Sequence, residues 1–418
     1  MVSDFLDAPR VLERLRSGPA GAYVDDFAAW LTAAGYKRTA ARALIRGFAR
    51  FAHWVRREGL ELGNLDADTV LRYHEYLATV GRREHRCGKQ TEDVTSSRRF
   101  LSFLRERGYI SVCQARSGRT ESSWVGEFRK WMLSHRGVRP STLAAYTRVV
   151  EELIGVLGET PENYQANNIR TFILERTRRH GISKAKQIVT STRMFLRFLA
   201  ATKKTPEDLA LSVPTVAGWK QSALPRYLPT TDIDKILAAC DDRTETALRD
   251  RAILLLASRL GLRAGDIAAL ALADVDWDEA RLRVSGKSRC EVWLPLPQDV
   301  GEAILLYLEQ ERPRIIPEQH VFVKAVAPHG AIASYLVSSV VRRAMDRAGI
   351  ENAPSRGAHV LRHSAATAML REGATLHQIG SVLRHQSIET TYHYAKVDGD
   401  LLRMVVSPWP ELKETNPC

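Results

Sequence analysis

Val94-Thr95-Ser96-Ser97-Arg98-Arg99-Phe100-Leu101-Ser102-Phe103-Leu104 returns later in the chain as Val189-Thr190-Ser191-Thr192-Arg193-Met194-Phe195-Leu196-Arg197-Phe198-Leu199. Eight of the eleven positions are identical, at an offset of 95 residues. Upstream, Val24, Phe27, Trp30 and Leu31 match Val125, Phe128, Trp131 and Met132 at an offset of 101. Two motifs repeated in the same order mark an internal duplication. Apolar residues fall at helical spacing, as at Phe48, Phe51, Trp54 and Val55, and strand-like alternation is scarce before residue 280. The reading is two tandem helical domains, residues 1–115 and 118–215, joined near Arg116-Ser117-Gly118-Arg119. The Phe and Leu positions would form the core of each copy.

Beyond the repeats the pattern changes. A Pro-containing linker, Ala217 to Pro229, leads into Pro229-Thr230-Thr231-Asp232, which reads as a helix start with a Thr N-cap and an acid in the first turn. Arg281-Leu282-Arg283-Val284 and Glu291-Val292-Trp293-Leu294-Pro295 alternate around a turn containing Gly286-Lys287-Ser288, which predicts a β-hairpin. Helices resume from Val300. A third domain over residues 224–405, mostly α with a small antiparallel sheet, follows, with a tail at 406–418. A chain of 418 residues is long enough for such a multidomain plan.

Composition narrows the function classes. The chain is 44% hydrophobic and 26% charged, with no apolar run long enough for a membrane span and no signal-peptide core at the N-terminus. Cys87, Cys113, Cys240, Cys290 and Cys418 are scattered without zinc spacing, which reads as free thiols in a reducing compartment. A soluble protein of the cytoplasm, located at the nucleoid, is expected. The net charge of +13 suits a polyanionic partner, because each neutralised phosphate releases condensed counterions. Arg82 to Arg119 holds ten Lys/Arg against four Asp/Glu, and Arg176, Arg178, Arg179, Lys184 and Lys186 precede the second copy of the motif. A charge run is most often a solvated face; its recurrence in both repeats nominates Arg98, Arg99, Arg179, Lys184, Lys186 and Arg193 as DNA contacts.

The third domain carries the groups that phosphodiester transfer needs: a nucleophile, donors for charge building on phosphate, and an acid for the leaving oxygen. Gly261-Leu262-Arg263-Ala264-Gly265-Asp266 places Arg263 one helical turn from Asp266, whose carboxylate is expected to orient the guanidinium. Lys287 falls at the hairpin tip. His359-Val360-Leu361-Arg362-His363 puts His359 and Arg362 on one helical face, and His385 precedes Tyr394 by nine residues. Taken singly, each has a duller explanation. An Arg beside an Asp is usually a surface ion pair. His359 and His363 stand at a zinc spacing, but Val360 occupies the place where the zincin pattern requires Glu, so no metal is expected. Tyr392 is a decoy expected to pack.

Together, Arg263, Lys287, His359-x-x-Arg362, His385 and Tyr394 resemble the catalytic set of the tyrosine recombinase (phage integrase) family. The resemblance covers roughly residues 224 to 405, with four boxes in the family's order and spacings; the helical half resembles the family's core-binding domain, here present twice. It implies a mobile-element enzyme that cleaves and rejoins DNA strands with no cofactor. Tyr394 would attack phosphate to leave a 3′-phosphotyrosyl link, clamped by Arg263 and Arg362. His359 would take the tyrosine proton, His385 would donate to phosphate, and Lys287 would protonate the leaving oxygen. The implied partner is duplex DNA carrying specific recombination sites, bound by a homo-tetramer that is a monomer or dimer when free. Accessory recombinases or DNA-bending proteins are further partners, and the apolar tail Leu401–Val406 would dock on a neighbouring subunit. One position departs from the family: Arg384 stands before His385 where Gly is usual, and is expected to contact DNA or change how His385 is presented. Two alternatives remain at this point: type IB topoisomerase-like relaxation, and a non-catalytic DNA-binding regulator.

Overall fold

The computed structural model describes residues 2–6, 9–17, 21–61, 65–84, 87–110, 122–217, 225–240, 244–285, 291–313, 318–385 and 387–396. Lys287, the joining segment 116–119 and the tail from Leu401 onwards lie outside the described residues. The chain divides into two compact units: one of Leu6–Phe27 and Ala43–Lys220, the other of Met1–Phe5, Ala28–Arg42 and Gln221–Cys418.

Nine α-helices are described before residue 217: α1 (Pro9–Ser17), α2 (Gly21–Ala33), α3 (Arg38–Arg57), α4 (Ala67–Glu84), α5 (Cys87–Glu106), α6 (Ser123–Arg136), α7 (Pro140–Leu157), α8 (Ala166–Thr177) and α9 (Ile182–Ala201). The duplication is visible in three dimensions. Phe27 on α2 meets Phe100 and Phe103 on α5, with ring centroids 5.5 and 5.3 Å apart. Their counterparts repeat the contact: Phe128 on α6 meets Phe195 and Phe198 on α9 at 5.5 and 5.8 Å. Such pairs add about 0.5–1.5 kcal/mol beyond their buried area. α3 and α5 approach closely, since a Cβ added at Gly47 would lie 2.2 Å from the Ser96 hydroxyl.

The C-terminal part contains α10 (Thr230–Ala238), α11 (Ala247–Arg259), α12 (Ala264–Ala269), β1 (Val275–Asp276), β2 (Arg281–Ser285), β3 (Glu291–Pro295), α13 (Gln298–Leu306), α14 (Ser334–Arg347), α15 (Ala358–Arg371), α16 (Leu376–Leu383) and α17 (Ile388–Ala395). The hairpin pairs in the expected antiparallel sense, with Leu282 opposite Leu294, and a short β1 adds a third strand. Leu282, Val284 and Leu294 point into the core. α11 lies at the centre: Ala252 to Ala257 are all buried, as a helix apolar around its circumference must be. α10 begins at Thr230 with Pro229, not a threonine, at the N-cap, so the threonine hydroxyls fall inside the first turn and cap nothing. A smaller cluster of Ala366, Leu370, Ile379, Leu383 and Tyr394 ties α15, α16 and α17 together. No helix among the described residues is long and apolar enough to cross a membrane.

Candidate active site

Two backbone corners and the helix α15 converge where the sequence boxes meet. Arg263 is the N-cap residue of α12, two residues after Gly261, whose φ of +57° places it in the left-handed region. Glycine is required there: a Cβ would meet the Leu383 side chain at 2.7 Å. His359, Arg362 and His363 rise on α15. α16 ends in a left-handed corner at Arg384, φ 53° and ψ 54°, which turns the chain so that His385 and then α17 fold back.

The two arginines are held by these corners. Arg362 is 2% exposed; its Nη1 donates to the Gly261 carbonyl at 2.6 Å and its Nη2 to the Leu383 carbonyl. Arg263 Nη2 donates to the Arg384 carbonyl at 3.1 Å. Burial, with Arg263 nearby, lowers Arg362 to about 10, so it stays charged at neutral pH. Burial lowers Arg263 as well.

Tyr394 belongs to the same cluster. Its side chain is 2% exposed and its hydroxyl lies 2.8 Å from His363 Nδ1. Burial raises the phenol above its ordinary value, and the Arg362 and Arg263 charges oppose that rise. The His385 ring runs nearly parallel to that of Tyr394, at 7° and a centroid distance of 6.3 Å. His385 Nδ1 is engaged by the buried Thr391 hydroxyl at 2.9 Å, which leaves Nε2 to face outward chemistry. Burial lowers His363 and His385 to about 4, and lowers His359 in the same direction, so all three imidazoles are neutral at pH 7.

Several expectations are corrected. Asp266 does not chiefly orient Arg263, whose Nη1 stands 3.9 Å away; it pairs instead with Arg384. Arg384 is no outward DNA contact, because its side chain is 6% exposed and turned onto that carboxylate. Its backbone is left-handed, a conformation that glycine adopts without the steric cost of a side chain. Tyr392 does not pack but is 50% exposed, whereas Tyr394 is buried. Arg193 donates to the Val213 and Pro214 carbonyls at 3.0 and 3.2 Å, clasping the end of its own repeat. Lys184 donates to Gln187 Oε1 at 3.0 Å; Arg98, Arg179 and Lys186 are exposed and Arg99 is half-buried. His363 and Thr391 were missed as site residues. The four-residue step from His359 to His363 was the available signal, since it sets both rings on one face, 4.3 Å apart.

A mostly helical fold with a small sheet, carrying a buried tyrosine beside two guanidinium groups and three imidazoles, defines a class of enzymes that transfer phosphoryl bonds through tyrosine. Comparison with known proteins agrees. The sequence profile of the phage integrase family matches residues 226–400. The chain is 34% identical to the putative integrase/recombinase y4rA of Sinorhizobium fredii, over 97% of this chain and 98% of that one. It is 27% identical to tyrosine recombinase XerD of Lacticaseibacillus casei, over 66% of this chain and 95% of the relative. Among solved structures, a lambda integrase tetramer bound to a Holliday junction shares the fold at TM-score 0.52 and 16% identity, covering 77% of this chain and 89% of that one. XerH recombinase in a post-cleavage complex with difH does so at TM-score 0.53 and 17% identity, covering 69% and 95%. The chain belongs to the phage integrase family of tyrosine recombinases, enzymes of site-specific DNA recombination.

Proposed function

We propose that Tyr394 attacks the scissile phosphate of a recombination site. The tyrosine oxygen bonds to phosphorus, the bond from phosphorus to the 5′ oxygen breaks, and a 3′-phosphotyrosyl link and a free 5′ hydroxyl result. Arg263 and Arg362 clamp the non-bridging oxygens, a task suited to planar guanidinium groups. His385 donates from Nε2 as a neutral imidazole, its tautomer set by Thr391. The phenolic proton leaves to an imidazole: His359 shares that role with His363, the ring already on the hydroxyl at 2.8 Å. Lys287 protonates the departing oxygen. Because the phosphotyrosyl link conserves the phosphodiester energy, rejoining needs neither metal nor nucleotide.

The observation that carries this reading is the burial of the Tyr394 hydroxyl in one cluster with both arginines, where their charge favours the phenolate. In the same reading, residues 1–115 and 118–215 are tandem DNA-binding domains, 224–405 the catalytic domain and 406–418 a tail, with the apolar stretch Leu401–Val406 docking on the next protomer. The protein works in the cytoplasm, at the nucleoid, as a homo-tetramer on two sites of a mobile element, with accessory proteins where the site demands them. A nicked suicide duplex containing the site is the test. The parent should accumulate a covalent protein–DNA adduct and Tyr394→Phe should give none; an adduct in Tyr394→Phe, or none in the parent, rejects the assignment.

A further inference from the structure

α3 is cationic in an unusual way: Arg38–Arg57 contains six arginines and one histidine and no carboxylate. At about 100° per residue, Arg38, Arg42, Arg46, Arg50, His53, Arg56 and Arg57 fall within an arc of about 120°. Phe48, Phe51 and Val55 take the opposite arc and are buried, and buried Ile45 sits at the edge of the cationic one. All seven cationic positions are exposed except Arg42, which is half-buried. Arg50 and Arg57 have acidic neighbours in Asp93 and Glu58, while Arg42 and Arg46 make no ion pair among the described residues. Like charges four apart on a helix repel, so the row costs stability rather than adding it.

The second repeat supplies an internal comparison. Buried Ile45, Gly47, Phe48, Phe51 and Ala52 on α3 correspond to buried Thr147, Val149, Val150, Leu153 and Ile154 on α7, at an offset of 102. On that register the face carrying Arg38, Arg42, Arg46, Arg50 and His53 becomes Pro140, Ala144, Arg148, Glu152 and Gly155, and Ala49 becomes Glu151. One duplicated surface has therefore become strongly positive in the first copy and slightly acidic in the second. The buried sides correspond at five positions, though buried Trp54 falls on Val156, which is 65% exposed, so the charge difference lies on faces whose cores match only in part.

We propose that the α3 arginine face is a sequence-independent binding site for the phosphate backbone of duplex DNA, belonging to the first repeat alone. The inference rests on the recombinase reading for its biological setting. The row rises about 28 Å over 19 residues, a length along which duplex DNA presents about 16 phosphates. Guanidinium groups repeated on one face of a helix that itself carries no carboxylate suit that ligand, with Arg50 and Arg57 already paired to Asp93 and Glu58. Such contacts position the protein and carry no base readout.

The test measures how the full-length chain binds a random-sequence duplex as salt is varied. Each phosphate contact contributes about 0.9 to the slope of log affinity against log salt. Arg42→Ala/Arg46→Ala should lower the slope by about 2, weakening binding roughly 60-fold at 0.1 M salt and little near 1 M. Arg42→Lys/Arg46→Lys should keep the slope, because the charges remain. Arg148→Ala, at the matching position of the second repeat, should leave it unchanged. An unaltered slope in the alanine variant overturns the proposal, as does an equal fall in Arg148→Ala or the same loss in the lysine variant. A change of oligomeric state with the slope intact would assign the face to a protein partner instead, which also overturns it. Adduct formation at Tyr394, scored on the same preparations, reports separately on the recombinase reading.

Discussion

Arg384 combines two opposing contributions that substitution can separate. Its left-handed backbone costs a side-chain-bearing residue about 1 kcal/mol, which glycine would not incur. Against this, its guanidinium pairs with Asp266, and both side chains are under 10% exposed. Removing one partner of a buried ion pair costs about 3–5 kcal/mol, because the other charge is left uncompensated. Arg263, 3.9 Å from Asp266, has room to close onto the carboxylate, which favours the lower end of that range. Arg384→Ala should therefore destabilise the chain by about 3 kcal/mol, and Arg384→Gly by about 2 kcal/mol, since only glycine relieves the corner. Adding Asp266→Asn to Arg384→Gly should recover most of the loss by neutralising the orphaned charge. Drawing Arg263 towards Asp266 removes a phosphate donor, so single-turnover cleavage should fall by about 10²-fold in both single variants. Urea unfolding gives the stabilities, and a nicked duplex gives the rates. If the alanine variant equals the glycine variant, or either matches the parent, the account of this corner is wrong.

Gly261→Ala should push against Leu383, whose carbonyl holds Arg362, and impose a strained backbone; a loss of about 1–3 kcal/mol with at least tenfold slower cleavage is expected, and an unaffected enzyme would refute the packing argument. His363→Phe keeps an aromatic ring but removes the ring nitrogen that the Tyr394 hydroxyl meets, so cleavage should slow by about 10²-fold or more; a normal rate there, with loss in His359→Phe, would route the proton through His359. His363 and His385 sit at about 4 in the folded chain against about 6.5 when unfolded, so the unfolded chain binds more protons between those values. Stability of the catalytic unit should accordingly fall as pH drops from about 6.5 towards 4 and gain nothing from these groups above that window; melting temperatures at pH 7 and pH 5 that are equal or reversed would count against it.

Local spacing alone carried much of this molecule. The duplication reappears as matching triads, Phe27 with Phe100 and Phe103, and Phe128 with Phe195 and Phe198, because helical periodicity decides which side chains share a face. The hairpin of β2 and β3 was equally legible, since alternation fixes which residues face the core. Partner choice was not. Asp266 prefers Arg384, 118 residues away, over Arg263 three residues away, because the end of α16 delivers the distant guanidinium at closer range than the helix delivers the near one. The burial of Tyr394 and exposure of Tyr392, two residues apart on one short helix, likewise depend on where α15 and α16 lie. Sequence settled which chemistry was present and in what order; the return of the chain settled which groups meet, because electrostatic pairing depends on distance in space and not on separation along the backbone.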